Sequence, residues 1–431
     1  MIDAVAATPA FRRPPARAAF GVTRTYTAEG LALRATAVAV ALLPLAVPQG
    51  PANLAPIDGF VVLAIGACCF WAGTEGHRWR FPYMLPVSLL LIGGALGALI
   101  GPVPNKGFIA LLQDILLLFW CWAVVNISRS PRNLHVLLAA WAYSAIGWAV
   151  VAFVGVATHS QVLTGEIERQ GTRLQLTLAD PSYTANYFFI SMMIMWATRR
   201  PTRRSVRWAA YVLLLSAIAT TGSNSGIVAV TVGTSVAIVL GIYRRFGMLH
   251  AVTALAFLAL GASAATLTVS LGNIQERAHD SKWAFIRQGI GRSPDSAGQR
   301  EMILQESIQL YKDGSPLGEG PVSTKPRIAH DMGPLVKEAH DDYFAALIER
   351  GPIGFAGILL LVAALFRCGL GVVKTRLARG FAAVVTKPNA VVGAVAGTLV
   401  ASTVYELLHV RHVWALFALV ASLYMWGREA S

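Results

Sequence analysis

Residues 134–156 read LHVLLAAWAYSAIGWAVVAFVGV, a run of 23 residues without Asp, Glu, Lys or Arg. A helix needs about 20 predominantly apolar residues to cross the roughly 30 Å hydrocarbon core of a bilayer, so this run predicts a transmembrane helix. The rest of the chain is similar, because 55% of all residues are hydrophobic and only 13% are charged, with a mean hydropathy of +0.57. Soluble globular proteins carry about 25% charged residues, and this composition therefore excludes an ordinary soluble enzyme.

The same criterion, applied along the chain, predicts an all-α, polytopic integral membrane protein with about twelve transmembrane helices. The candidate spans are 31–48, 57–73, 84–101, 108–126, 134–156, 183–198, 207–221, 226–242, 249–271, 352–366, 388–405 and 413–427. The first span follows a leader rich in Arg and Pro, so we predict residues 1–30 to be a disordered basic segment and not a cleavable signal peptide.

The distribution of basic residues predicts the orientation of the chain. There are 36 Lys and Arg against 22 Asp and Glu, a net charge of +14. If the N-terminus is cytoplasmic, the loops and termini on that side hold 21 Lys and Arg, and the outer loops other than 272–351 hold four. Cytoplasmic loops of membrane proteins carry such an excess, so we predict that both termini are cytoplasmic. The same rule explains the net charge without nucleic-acid binding.

Two longer loops are predicted on the outer face, at 157–182 and 272–351. The second contains 12 Asp and Glu and ten Lys and Arg, together with helical runs and Gly or Pro between them. This mixture predicts a small folded cap and not a linker. The domain organisation is then spans one to nine in 31–271, the large outer loop in 272–351, and spans ten to twelve with a cytoplasmic tail in 352–431.

The strongest local motif is in residues 338–354, which read EAHDDYFAALIERGPIG. A helix is predicted after Pro334. In it, Phe344 follows His340 by four positions and Leu347 follows Phe344 by three, so the three residues share one face. Gly351 suits the end of that helix and Pro352 the first turn of the next. His340 is either a histidine hydrogen-bonded within the cap or a general base, the role that imidazole most often takes near neutral pH.

His340-Asp341, nine further residues and then Gly351-x-x-Gly354 resemble the hallmark of the O-antigen ligase and O-antigen polymerase family. Members of this family are polytopic inner-membrane proteins that transfer glycans from undecaprenyl diphosphate. The family usually has Asn, Ser or Gln after the histidine, where this chain has Asp341. The resemblance implies that the protein lies in the bacterial inner membrane.

Three further segments resemble family landmarks in the same order along the chain. They are Arg173 with Asp180-Pro181-Ser182, the turn Thr221-Gly222-Ser223-Asn224-Ser225-Gly226, and Gly298-Gln299-Arg300 followed by Pro316-Leu317-Gly318 and Gly320. Ser182 replaces a usual Asn, and Asn224 replaces a usual Arg. The resemblance covers about residues 170 to 427, and the first five spans match only in being apolar.

The resemblance implies roles for individual residues. His340 would be the catalytic base, and Arg300 would bind the diphosphate, which planar guanidinium groups recognise through paired hydrogen bonds. Arg173 or Arg411 could supply a second cationic contact in place of the arginine lost at Asn224. The simpler alternatives are headgroup anchoring for Arg173 and Arg411 and a loop ion pair for Arg300. Among the neighbours of these groups, we also expect Asp341 and Tyr343 to contact substrate.

Metal and cofactor chemistry is not predicted. There is no Asp-x-Asp, Asp341 and Asp342 diverge on a helix, and Glu166-x-Glu168 falls in an irregular loop. Pairs of histidines such as His409 and His412 fit no recognised zinc pattern. The four cysteines lie in or beside apolar runs without CxxC spacing, so neither a loop disulfide nor a metal site is expected; they are Cys68, Cys69, Cys121 and Cys368.

Three acidic residues lie in or beside predicted spans. Asp58 and Glu406 are expected near the membrane surface, and Asp114 lies deeper in the fourth span. Ionisable groups are costly in lipid and often functional. Asp114 could line a path for a lipid or proton, although a buried hydrogen-bonding role is slightly favoured.

The predicted function is that of a metal-independent, inverting glycosyltransferase. It would move a glycan from an undecaprenyl-diphosphate-linked donor to a sugar hydroxyl on the periplasmic face, in surface polysaccharide biosynthesis. The acceptor would be lipid A core in a ligase and a growing glycan in a polymerase, and the sequence does not separate the two. Two alternative functions remain, a membrane transporter and a non-catalytic relative of the family. In every case we expect the protein to contact membrane lipid.

Overall fold

The computed structural model describes residues 27–46, 54–75, 79–158, 160, 163, 166–167, 171–178, 180–268, 277, 280–282, 305–324 and 341–428. Helices occupy all twelve segments predicted as spans, and a short extra helix precedes the eleventh. The helices are α1 (Ala28–Ala41), α2 (Pro56–Glu75), α3 (Met84–Ile100), α4 (Pro104–Ile127), α5 (Pro131–Ala157), α6 (Pro181–Thr198), α7 (Arg204–Thr221), α8 (Asn224–Phe246), α9 (Met248–Thr268), α10 (Asp342–Lys374), α11 (Arg379–Val384), α12 (Pro388–Ala401) and α13 (Arg411–Met425).

The helical fold class is confirmed, and among the described residues five helices are both long and apolar enough to cross a membrane, which is consistent with a polytopic membrane protein. They are α2, α4, α5, α8 and α10. Several of the others are shorter apolar helices, so twelve crossings stay a prediction. Within the described residues, the strands β1 (Glu166–Ile167) and β2 (Gly171–Thr172) pair antiparallel, in the outer loop predicted to be irregular.

Helix boundaries follow local chemistry. Proline occupies the first turn of α4, α5, α6 and α12, where its missing N–H has no intrahelical partner to lose. Ser130 and Asp180 accept hydrogen bonds from backbone N–H groups at the starts of α5 and α6. Tightly spaced, apolar helices joined by short polar turns follow from these signals.

The core is built on α6, α12 and α13, which are buried along nearly their whole length. Helix α12 approaches α8 at glycines: a Cβ on Gly393 would lie 2.4 Å from the Gly233 carbonyl oxygen, and one on Gly397 would lie 2.4 Å from the Ala229 carbonyl oxygen. Larger side chains would separate the two backbones. Small residues at the helix contact are the usual means of close packing in a membrane, where lipid is as apolar as the helices.

Loops predicted to share a side lie together in the structure. At one end, the Lys387 N–H donates to the Ala197 carbonyl (3.0 Å), the Ala378 N–H donates to the Gly427 carbonyl (2.8 Å), and Arg200 contacts the His135 ring. The connections before α6, between α7 and α8, and between α12 and α13 meet at the opposite end. The assignment of the first end to the cytoplasm stays a prediction.

Helix α10 is two helices joined at a kink. Gly351 has φ 61° and ψ −171°, outside the helical region, and Pro352 opens the second part. The predicted break at Gly351 is therefore present. The predicted start is wrong, because Asp341 is extended (φ −150°, ψ 114°) and its side chain caps a helix that begins at Asp342. The helical face predicted for His340, Phe344 and Leu347 includes His340, which lies outside the described residues.

Candidate functional site

The turn between α7 and α8 is shaped by Thr221 to Gly226. Gly222 ends α7 in the left-handed conformation (φ 57°), which a residue without a Cβ adopts at little cost. Ser223 begins α8, and its hydroxyl accepts a hydrogen bond from the Gly226 N–H at 3.2 Å. Asn224 is the first residue of α8. The sequence pattern of this turn thus reverses the chain and presents a helix N-terminus with several hydroxyl groups.

Arg173 holds this turn from the preceding loop. Its side chain is buried, and it donates from Nε to the Thr221 carbonyl at 2.8 Å and from Nη2 to the Gly222 carbonyl at 3.1 Å. These are carbonyls at the C-terminal end of α7, where cationic donors interact favourably with the helix dipole. Arg173 therefore positions the turn, and its contact with a diphosphate stays a prediction.

Asp180 connects the loop before α6 to two other segments. Its carboxylate accepts hydrogen bonds from the Ser182 N–H and from the Tyr405 hydroxyl, each at 2.5 Å. The Ser223 hydroxyl in turn donates to the Ser182 hydroxyl at 3.1 Å. The segment at 180–182 and the turn at 221–226, predicted separately from the sequence, are therefore in direct contact.

Asp341 caps α10. One carboxylate oxygen accepts hydrogen bonds from the Tyr343 N–H at 2.8 Å and from the Phe344 N–H at 3.2 Å. Burial raises the pKa of the Asp341 carboxyl, against the opposing effect of these two hydrogen bonds. Asp341 consequently has a structural role beside the predicted contact with substrate.

Asp342 and Tyr343 lock the start of α10 to the connection between α12 and α13. The buried Asp342 carboxylate accepts from the Leu407 N–H at 2.7 Å and from the Leu408 N–H, and the Asp342 N–H donates to the Ser402 carbonyl at 3.0 Å. The Tyr343 hydroxyl donates to the Leu399 carbonyl at 2.9 Å. Tyr343 therefore anchors α10 through its hydroxyl group, and its predicted contact with substrate is untested.

The α12–α13 connection at 402–410 joins the motifs. Tyr405 binds Asp180, the Tyr183 hydroxyl lies 2.9 Å from Nε2 of His409, and Leu407 binds Asp342. The structure thereby brings the segments at 180–182, 221–226 and 341–343 to one end of the bundle. Sequence reasoning included none of the residues from 402 to 410 in the site, because no local pattern signals their contacts.

Arg411 pairs with Asp58 across the bundle. Nε lies 2.8 Å from one carboxylate oxygen and Nη2 lies 2.6 Å from the other, and both side chains are buried. Asp58 also accepts a hydrogen bond from the Ala55 N–H at 2.9 Å. This bidentate geometry suits a guanidinium paired with a carboxylate in a protein interior. Arg411 would therefore have to make its predicted contact with a diphosphate while its guanidinium is paired with Asp58.

The turn at Pro316 to Gly320 packs on the kink of α10. The Gly320 N–H donates to the Glu349 carbonyl at 2.8 Å, and the Glu319 N–H donates to the Ile348 carbonyl at 2.9 Å. A Cβ on Gly318 would lie 2.6 Å from the Gly351 nitrogen, and Gly318 has a φ of 97°. Gly318 and Gly351 are thus both required at this contact, because the two backbones approach too closely for a Cβ on either residue.

A cavity of about 160 Å³ lies below this contact, among α3, α4, α10 and α13. Its wall includes Arg350, which forms an ion pair with Asp114 at 2.7 Å. Asp114 of α4 is therefore paired with a residue of the kinked helix α10, in agreement with the simpler of its two predicted roles, that of a hydrogen-bonding partner. Neither Arg350 nor Glu349, whose carboxylate accepts a hydrogen bond from the Thr324 hydroxyl at 2.6 Å, was selected from the sequence.

Two predicted site residues, His340 and Arg300, lie outside the described residues. Among the residues that the structure describes, no group of three or more His, Cys, Asp or Glu could hold a metal ion.

Comparison with known protein families gives a match to part of the chain. A protein-family model described as O-Antigen ligase matches residues 209–359. The matched region contains the turn at 221–226 and both parts of the kinked motif around Gly351, whereas α1 to α6 precede it. No curated protein matches the chain significantly. Residues 209–359 are thus similar to the O-antigen ligase family.

Proposed function

From the family of residues 209–359, we propose that the protein is a membrane glycosyltransferase of surface polysaccharide assembly. It transfers a glycan from an undecaprenyl-diphosphate-linked donor to a sugar hydroxyl on the periplasmic face of the bacterial inner membrane. The observation that carries the proposal is the family match itself, since it includes the turn at 221–226 and the segment following His340.

Contacts between the motifs support a shared site. Ser182 contacts Ser223, Tyr405 contacts Asp180, and Asp342 contacts Leu407. Each pair joins segments that are distant in sequence, and the three pairs lie at the same end of the helical bundle. A reaction that needs a base and cationic groups for a diphosphate requires such an assembly of segments.

The chemistry follows from the groups assigned. Neutral His340 removes the proton of the acceptor hydroxyl as its oxygen bonds to the anomeric carbon of the donor. The bond from that carbon to the diphosphate oxygen breaks, and undecaprenyl diphosphate leaves with the electron pair. Arg300 stabilises the developing charge, and Arg173 holds the neighbouring turn. A single displacement inverts the anomeric configuration and requires no metal ion or cofactor.

The test is transfer by the purified protein from lipid-linked oligosaccharide without divalent metal. Arg300→Lys keeps the charge but loses the planar fork, and we expect it to impair transfer strongly. Asn224→Ala should have a smaller effect because an amide carries no charge. Arg292→Ala, in the same loop but outside the resembling motif, is the matched control. Wild-type turnover in Arg300→Ala would contradict the role assigned to that arginine.

A polymerase differs from a ligase only in the acceptor. Deletion of the gene followed by glycan analysis separates the two. Loss of the glycan ladder with accumulation of single units indicates a polymerase, and intact polymer retained on the lipid carrier indicates a ligase.

A further inference from the structure

The cavity beside the kinked helix is lined by polar and apolar side chains. Asp342, Glu349 and Arg350 of α10 are among the polar ones, and Leu90 of α3 and Leu361 of α10 are among the apolar ones. Its volume of about 160 Å³ corresponds to the space of on the order of ten water molecules. This is the size and polarity of a site for a sugar ring, whose faces carry C–H groups and whose edge carries hydroxyl groups.

The charges of the lining decide which part of a lipid-linked glycan fits. Among the lining residues that the structure describes, four carry carboxyl groups and Arg350 is the only Lys or Arg. That guanidinium is already paired with Asp114 at 2.7 Å. The carboxylates would repel a diphosphate, whereas neutral hydroxyl groups donate hydrogen bonds readily to carboxylate oxygens.

An amide group in the wall also points to a polar occupant. The Gln113 Nε2 atom is buried and has no hydrogen-bond partner among the described residues. Gln113 lines the cavity, and Ala110, one helical turn before it on α4, lines the cavity too. A buried amide donor without an acceptor is destabilising, and a hydroxyl or ring oxygen of a bound sugar would offset that cost.

The position of the cavity assigns the sugar. Asp342 lines it, and Asp341 and His340 immediately precede that residue in the chain. We propose that this cavity, walled by Gln113, Glu406 and His409 beside Asp342, binds a terminal sugar of the acceptor glycan. The identification of that sugar as the acceptor rests on the proposed function, in which His340, two residues before Asp342 in the chain, deprotonates the acceptor hydroxyl.

Oligosaccharide binding to the purified protein in lipid nanodiscs tests this proposal. The probes are core oligosaccharide released from the lipopolysaccharide of the same cells, repeat-unit oligosaccharide released from the lipid carrier, and inorganic pyrophosphate. In saturation-transfer NMR, we expect one oligosaccharide to bind wild-type protein and pyrophosphate not to displace it. Ala110→Phe, which fills the cavity, should abolish the signal, and Gln113→Leu should weaken binding roughly two- to tenfold.

Leu112→Phe is the matched control, because Leu112 lies on the same helix with 65% of its surface exposed. Thermal unfolding of each variant separates lost binding from lost structure. Binding that survives in folded Ala110→Phe, displacement by pyrophosphate, or no binding of either oligosaccharide would overturn the proposal. Transfer assays distinguish a failure of this proposal from a failure of the proposed function. If the protein transfers glycan but Ala110→Phe still binds the oligosaccharide, only the sugar site is contradicted. If binding depends on the cavity but no glycan is transferred, only the assignment as an enzyme is contradicted.

Discussion

The Asp342 carboxylate accepts a hydrogen bond from the Leu407 N–H at 2.7 Å, so the first turn of the kinked helix is tied to the connection between α12 and α13. Residues adjacent to both ends of this contact belong to the candidate site. Asp341 precedes one end, and His409, which contacts Tyr183, follows the other. The contact therefore couples the segment with the predicted base to the loop that binds the start of α6.

Asp342→Asn replaces one of these acceptors with an amide donor that faces two backbone N–H groups. We expect the free energy of unfolding to fall by about 1–3 kcal/mol, because buried donors lose their acceptor, and transfer to fall with it. Thermal unfolding in detergent and transfer activity measure the two effects. Asp313→Asn is the control, since Asp313 contacts Gln309 in an exposed position. Unchanged stability of Asp342→Asn would contradict the anchoring role.

Asp341→Ala removes the helix cap, and we expect a loss of about 0.5–2 kcal/mol in the free energy of unfolding. Asp341→Asn keeps an acceptor for the Tyr343 N–H and should have a mild effect on both stability and transfer. Burial raises the pKa of Asp341, so ionisation of this carboxyl disfavours the folded state as pH rises. The stability advantage of the wild type over Asp341→Asn should therefore be smaller at neutral than at acidic pH, as paired unfolding curves would reveal.

Gly351→Ala is expected to be among the most damaging small substitutions. Gly351 has a φ of 61°, and an added Cβ would lie 2.6 Å from the Leu317 carbonyl carbon. The combination of this φ with a ψ of −171° is essentially restricted to glycine and costs a residue with a Cβ about 1–3 kcal/mol, and the contact with the turn at 316–320 adds to it. Gly66→Ala is the matched control, because nothing lies within 4 Å of an added Cβ in the middle of α2. Equal unfolding temperatures for Gly351→Ala and Gly66→Ala would contradict this prediction, because they would show that the turn at 316–320 can move to make room for the added Cβ.

The helices were predictable from the sequence because hydropathy and length alone determine them in a chain of this kind. The break at Gly351 was also predictable, since glycine and proline act locally. The start of α10 was not, because the periodicity after Pro334 fits a helix whereas capping by Asp341 starts it at Asp342.

Long-range pairs limited the prediction of the site. Arg411 was assigned to a diphosphate from its position in the chain, but its partner Asp58 is 353 residues away. Asp114 and Arg350 likewise lie on different helices, and no spacing rule relates them. Only the packing of α3 against the kinked helix, and of α4 against α3 and α13, brings such groups together and creates the cavity between them.

Topology reporters fused along the chain test the orientation. We expect residues 1–30, 199–207, 367–387 and the C-terminus to report a cytoplasmic location, and residue 310 an outer one. The reason is the excess of Lys and Arg, 21 against four, in the loops assigned to the cytoplasm. A cytoplasmic report from residue 310 would invert the topology and remove the basis for transfer on the periplasmic face.

His340→Ala is expected to abolish glycan transfer in cells, because a positioned general base contributes roughly 100- to 10,000-fold to such a reaction. Expression and membrane insertion should be unaffected, since His340 lies outside every predicted span. Transfer by the wild type should also decline at acidic pH as the imidazole takes up a proton and can no longer accept one from the acceptor hydroxyl. The measurement is transfer from purified lipid-linked donor without divalent metal, with His250→Ala as the control, because His250 is exposed on α9. Near-normal transfer by correctly folded His340→Ala would leave this histidine as a packing residue and the base unassigned.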